Sequence, residues 1–568
     1  MSAPATQLQQ RGGERAESVS RSSCQPQSAA LGPVAAVISL LHEPANHSAR
    51  RKFRDQPVLA WTLGRLSSVR KIDAVGVICW EDQAADVRVA VGTADRLAVN
   101  ILVKPRQRLP NVEAVAAARR WSDGWRGGLL QTCHFDAGFH GPWTLELLQL
   151  LQCDRALLIE PSSGLIDPAL IDDLIAHANA HEAMELCFAP AASGFGAALL
   201  AKCLVDRLAD ARTHPGRVLC YNPDQPVHDP IARDGCAPVP VAVARAGGHY
   251  RLDSVRQIDQ LTATLASLNG SLNSAPATTI VAVADTQQCK MPREIVLELT
   301  TSRASRPIFQ PLANLEINRP PMPRHIWQAV LADLAGTGAD DLRLTLAGVG
   351  DPLEHPELFD ILQAADKLGI AIHIETDLLC EKDSIDRLAG GCADALSIHI
   401  PALTAPTYQR IMGVDGLARV LENVNHLAKA RRTQNSGTPL IVPLFVKCRQ
   451  NLGEMEQWYD RWLRAVSSAV IRGAGDFAGQ IPNHEAADMS PPRRVPCARL
   501  ASRLTILCDG TIVACEQDFA ARQALGHVGS NKIADVFALK LASMRVAHGA
   551  GNFDCHPLCS NCRDWHRP

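Results

Sequence analysis

"PCARLASRLTILCDGTIVACEQD", Pro496 to Asp518, is the stretch from which the rest of the chain is read. Two apolar runs, "LTILC" and "TIVAC", flank Asp509-Gly510, a pair that favours a tight hairpin. Such a hairpin puts Cys515 at the end of its returning strand, with Cys497 ahead of it. Much later Cys559 and Cys562 form a C-x-x-C knuckle. A knuckle presents two thiolates to one metal, and two more arrive from the hairpin region. Four thiolates suit either an iron–sulfur cube or a tetrahedral zinc.

The bulk of the chain bounds the remaining possibilities. Its 568 residues suggest two to four domains, and 46% hydrophobic content is enough for full cores. Aromatic content of 4% makes those cores mostly aliphatic. A formal charge of −2 gives no global attraction to nucleic acid or acidic lipid, and no apolar run reaches the length of a membrane span. Of the 18 cysteines, six follow Pro496 (Cys497, Cys508, Cys515, Cys555, Cys559 and Cys562), and the earlier ones have no paired spacing and read as buried small apolar residues. In a reducing compartment a terminal cluster argues for metal rather than disulfides. Residues 1–32 are polar and read as a disordered tail. The run Ala29–Leu41 has the outline of a secretory signal, but a helix and a second strand follow at α/β spacing, so a buried first strand and a cytoplasmic location are expected.

From Pro33 strand and helix patterns alternate: "PVAAVISLL", "PVLAWTLGRL", "IDAVGVICW", "RALLIE" and "DPALIDDLIAHA". This predicts an open α/β sheet domain over 33–270. Residues 271–290 read as a linker by composition. A second α/β series over 291–490 has expected strands at Glu294–Thr300, Leu342–Ala347, Ala371–Glu375, Asp394–Ile400, Pro439–Lys447 and Ser468–Arg472. Six βα units suggest a partial parallel barrel, whose functional groups sit in loops after the strand C-termini. Residues 491–568 form a small Cys-rich domain.

With "LGHVGSNKIADVF" and "FDCHPLCSNCRDW", the opening stretch resembles the SPASM domain, the C-terminal auxiliary-cluster module of many radical S-adenosylmethionine (SAM) enzymes. The resemblance implies one [4Fe–4S] cluster on Cys497, Cys515, Cys559 and Cys562. Fuller members carry a longer cysteine ladder and two clusters; here Cys508 and Cys555 lie outside the pattern and read as packing or spare thiols. Zinc is the alternative metal. His556 and His566 flank the knuckle and read as surface groups or groups that support the ligands.

The preceding segment resembles a radical SAM barrel. "LRLTLAGVGDPLEHPELFDIL" is similar to the family's second strand and its Gly-Gly-Glu loop, which receives the amino group of SAM. Gly348, Gly350 and Asp351 are therefore the candidate SAM contacts, with Asp351 one methylene shorter than Glu. "HIETDLL", "DALSIHIPALTAPTYQRIMG" and "VPLFVKCRQNLGEMEQWYDRWL", with Asn451 and Glu454, resemble the third to fifth strands. The loop after the first strand, "LELTTSRASRPIFQP", should carry C-x-x-x-C-x-x-C. Arg303, Pro307 and Gln310 stand at those positions, and Cys289 and Cys380 lie outside the loop. None of the three supplies a thiolate, and Arg offers no lone pair to a metal. A SAM-cleaving cluster is not expected, and SAM would lose its principal anchor.

Residues 33–270 resemble the nucleotidyltransferase fold of sugar cytidylyltransferases, on "FRDQPVLAWTLGRLSSVRKIDAVGVICWED" and "LLIEPSSGLIDPALIDDL". The family's phosphate loop is glycine-rich. Here it is "SLLHEPANHSARRKF", without glycine, so only Arg50, Arg51 and Lys52 would attract an anion. Ser162 takes the place of a Mg²⁺-binding Asp, and Glu160 reads as a loop acid before it reads as a Mg²⁺ ligand. "RRWSDGWRGG", Arg119 to Gly128, reads as a packed turn, with a sugar or phosphate grip as the alternative. The whole arrangement resembles the spiro-SPASM type of protein. It implies an iron–sulfur protein whose single auxiliary-type cluster serves structure, electron transfer or a peptide or protein partner. The alternatives are a nucleotide-sugar or cell-envelope nucleotidyltransferase acting through the first domain, or a catalytically inactive scaffold with a structural zinc or cluster.

Overall fold

The computed structural model describes residues 32–93, 98–122, 124–226, 234–268, 271–284 and 291–567. Residues 1–31 of the tail expected over 1–32, Asp123 of the Arg119–Gly128 stretch, and Cys289 lie outside the described residues. The chain divides into two compact units between Gln287 and Gln288. Among the described residues, no helix is long and apolar enough to cross a membrane.

The first unit is built on a six-stranded sheet: β1 (Val34–Ser39), β2 (Ala74–Trp80), β3 (Val99–Lys104), β4 (Arg155–Ile159), β5 (Leu186–Phe188) and β6 (Ala198–Ala201), in the order β3-β2-β1-β4-β6-β5. Every residue of β1 and β4 is buried, as expected for strands covered on both faces. β1 pairs in parallel with β2 on one side and β4 on the other, and β6 runs antiparallel to both its neighbours. The chain leaves β1 outward through β2 to β3, then crosses back to place β4 on the far side of β1. That reversal opens a crevice at the carboxyl ends of β1 and β4, where ligands bind in open α/β sheets.

The linker expectation is corrected over its first half. Residues Leu272–Ser274 form a turn and Ala277–Ala284 a helix, whose Ala277, Ile280 and Val281 are buried with Phe53, Trp61 and Tyr250. The short Ala/Ile/Val run offers apolar surface that outweighs the Ser, Asn and Pro signals ahead of it.

The second unit carries six parallel strands in chain order: β7 (Glu294–Leu297), β8 (Arg343–Leu346), β9 (Ala371–Thr376), β10 (Ala395–His399), β11 (Leu440–Lys447) and β12 (Val470–Gly473). Side chains alternate across this sheet. Ile295, Leu297, Leu344, Leu346, Ile372, Ile374, Leu396 and Ile398 enter the apolar core shared with helices such as Arg324–Ala335 and Leu417–Thr433. The intervening positions carry Glu294, Thr345, His373, Glu375, Ser397 and His399, so the other face is polar.

The Cys-rich segment continues this sheet. β13 (Arg503–Ile506) pairs in parallel with β7, Arg503 opposite Glu294, and then turns back through β14 (Thr511–Val513) to β15 (Gly526–His527). Leu507 N donates to Thr511 O (2.9 Å) and Gly510 N to Leu507 O (2.8 Å), closing the hairpin at Asp509-Gly510.

Candidate metal centre

Cys497 precedes the short helix Arg499–Ser502 that feeds β13, and Cys515 stands at the start of the turn Glu516–Asp518 that follows β14. The knuckle is a tight turn: Cys559 N donates to His556 O (3.0 Å) and Cys562 N to Cys559 O (3.2 Å). All four thiols are free and half-buried. Cys497 lies within electrostatic reach of each of the other three. Burial pushes the Cys559 thiol up to about 12, the Cys562 thiol up to about 11 and the Cys515 thiol well above its ordinary value. Left to themselves these thiols stay protonated, so a metal has to displace the protons. Among the described residues no group of three or more His, Cys, Asp or Glu is arranged to hold a metal ion. The donor set nevertheless fits a thiolate-bound group in its chemistry: three free thiols, two of them on one turn, share a fourth, Cys497, as a common neighbour.

The spare cysteines differ from one another. Cys508 is fully buried in the hairpin turn, where its thiol faces the ion pair of Arg319 and Glu298 (2.6 Å). Cys555 sits beside Cys559 and acts on its charge, a proximity that spacing alone did not give. His556 is buried, 3.8 Å from Asp518.

The mouth of the second unit's sheet is occupied by charge. Arg303, at the first of the three cysteine positions, is buried, its side chain 1% exposed and its Nε 3.2 Å from Asp377 Oδ2. Asp377 also accepts a hydrogen bond from Ser305 Oγ and pairs with His399 Nδ1 at 3.0 Å. The other ring nitrogen of His399 meets Glu375 Oε1 at 3.0 Å, and Arg472 closes the line with bonds of 2.7 and 3.1 Å to Glu375. Charges thus alternate from Arg303 through Asp377, His399 and Glu375 to Arg472. Burial works against the Asp377 carboxylate, but Arg303 and His399 hold it down at about 2. Burial also opposes the His399 imidazolium, and its bonds to Asp377 and Glu375 more than compensate, raising its pKa. Pro307 and Gln310 are buried in the same loop, and Phe309 between them packs 5.6 Å from the His399 ring.

Gly348, Gly350 and Asp351 line this mouth as structural parts. A Cβ on Gly350 would collide with Thr300 O, so the loop lies directly on the backbone that follows β7. The Asp351 carboxylate accepts from Leu353 N (3.0 Å), Thr376 Oγ1 (2.8 Å) and Asp377 N (2.8 Å). Burial and the neighbouring Asp377 raise its pKa.

In the first unit, the crevice between β1 and β4 narrows to a cavity of about 20 Å³, lined by Ser39, Phe135, Phe139, Thr144 and Glu160 among others. That is room for about one water. Glu160 pairs with Arg251 at 2.8 Å, and Arg50 pairs with Asp86 at 2.5 Å. Arg51 is buried, donating to Leu252 O (3.4 Å), while Lys52 is exposed. Ser162 is buried, its carbonyl accepting from Leu252 N (2.8 Å). Trp125 stacks on Phe188 at 5.3 Å, so this part of the Arg119–Gly128 stretch is packed.

Residues 497–563 match the family model described as the SPASM iron–sulfur cluster-binding domain. The match covers the C-terminal segment that carries Cys497, Cys515, Cys559 and Cys562, so that segment is similar to an iron–sulfur cluster-binding domain. Among known proteins it is similar to an uncharacterized protein of Treponema pallidum (strain Nichols), 23% identical over 295 residues, which span 49% of this chain and 79% of the relative. Similar solved structures include Streptococcus suis SuiB bound to its precursor peptide SuiA, with 14% identity, a TM-score of 0.39, and coverage of 51% of this chain and 70% of SuiB. A cytidylyltransferase from Leptospira borgpetersenii is similar at 11% identity and a TM-score of 0.31, over 45% of this chain and 97% of that enzyme.

Proposed function

We propose that this chain is an iron–sulfur protein that holds one auxiliary-type [4Fe–4S] cluster on Cys497, Cys515, Cys559 and Cys562 and does not cleave SAM. The observation that carries this reading is the buried Arg303–Asp377 pair. A SAM-binding cluster needs three thiolates and an open iron at that loop, and a salt-bridged guanidinium fills the first ligand position instead. The Asp351 carboxylate is already engaged with Leu353, Thr376 and Asp377, which occupies three of its roughly four acceptor sites. The cluster supplies electron storage or a rigid cross-link, and a peptide or protein is the partner class that suits it. The test is metal analysis and EPR after anaerobic purification, with and without SAM. About four irons per chain, a reduced-state signal unchanged by SAM, and no 5′-deoxyadenosine are expected. Stoichiometric zinc without iron, or SAM cleavage, would overturn the reading.

A further inference from the structure

The cysteine segment contains a buried charge to which the proposed function gives no role. Arg499 stands two residues after Cys497 and is buried. Its Nη1 pairs with Glu516 Oε1 at 2.9 Å, and Glu516 directly follows Cys515. Its Nε is buried without a hydrogen-bond partner. The Arg499 charge reaches Cys497, Cys515 and Cys562. Arg503, the other arginine bridged to Glu516, at 3.9 Å, is already engaged with Glu294 at 3.0 Å. Leaving a buried donor unsatisfied carries a free-energy cost. A metal-bound sulfur is an acceptor that would remove this cost.

We propose that Arg499 is the cation that balances the cluster held by the four cysteines, and that its pairing with Glu516 sets the cluster's reduction potential. The proposal rests on the iron–sulfur reading above. One-electron reduction makes the site one charge more negative and moves no proton. A buried cation therefore favours the reduced state, and a carboxylate beside that cation partly cancels the effect. Removing the two charges one at a time must shift the potential in opposite directions.

The experiment is an anaerobic redox titration with dithionite as electron donor, followed by EPR, on the full chain and on Arg499→Gln, Arg499→Lys and Glu516→Gln, with iron measured in each. Arg499→Gln is expected to lower the midpoint by at least about 59 mV, a tenfold change in the oxidised-to-reduced ratio. Glu516→Gln is expected to raise it, and Arg499→Lys to stay near the unsubstituted protein. Iron-loaded variants that share the unsubstituted midpoint, or that shift in the same direction, overturn the proposal. If Arg499→Gln loses its iron, Glu516→Gln decides, because an unchanged midpoint there is equally fatal. An unsubstituted chain without iron has no midpoint at all, which marks failure of the underlying cluster reading instead.

Discussion

Replacing Arg303 by Met removes a buried guanidinium and leaves Asp377 with only His399 as its charged partner. The expected cost is about 3 kcal/mol, at the lower end of losses from breaking a buried pair because His399 remains. Urea unfolding followed by circular dichroism measures it, and a loss under about 1 kcal/mol would mean that Arg303 is not the main partner. The same site has a pH signature. Asp377 titrates at about 2 in the folded chain against an ordinary 3.8, so its contribution is present above about pH 4 and lost as pH falls toward 2. That is about 2 kcal/mol, partly offset by Asp351, whose raised pKa acts with the opposite sign. In Arg303→Met the acid limb of the stability curve should flatten, and an unchanged limb would contradict the assignment. The missing loop cysteines could be read from the sequence, but the network that replaces them could not. Arg303 follows β7, Glu375 and Asp377 lie in and just after β9, His399 ends β10 and Arg472 lies in β12, with no common spacing; sheet register alone brings them together.

At the scale of elements, the Asp509-Gly510 turn was legible because the pair has a strong conformational signature. Gly510 has φ +89°, and a Cβ there would stand 3.0 Å from the His527 ring and 3.2 Å from Ile326 Cδ1. Gly510→Ala should therefore destabilise the hairpin by about 1–2 kcal/mol. Since Cys515 follows the hairpin's returning strand, the variant should also lose iron faster to a chelator than the unsubstituted chain; an equal loss rate would separate the hairpin from the metal centre. The buried strands, such as Val34–Ser39, were equally legible as continuous apolar runs. The pairing of β13 with β7 was not, because nothing in either strand names its neighbour. The helix Ala277–Ala284 was hidden by linker-like residues just before it.

At the scale of the whole molecule, the two units bury separate apolar cores. A fragment of residues 288–568 should therefore bind as much iron per chain as the full protein, as read by metal analysis after anaerobic purification. A soluble but iron-free fragment would show that the first unit takes part in cluster retention. The order of the sheet also bears on how the protein is made. Arg503 joins Glu294 across 209 residues of chain. At roughly 5–20 residues per second on the ribosome, β7 waits about 10–40 s for its outer neighbour. During that interval it is an uncovered strand edge able to recruit other chains. The last thiols of the cysteine segment emerge later still, so iron delivery belongs to the end of synthesis, and a shortage of iron would be felt by finished chains, after the β7 edge has been covered.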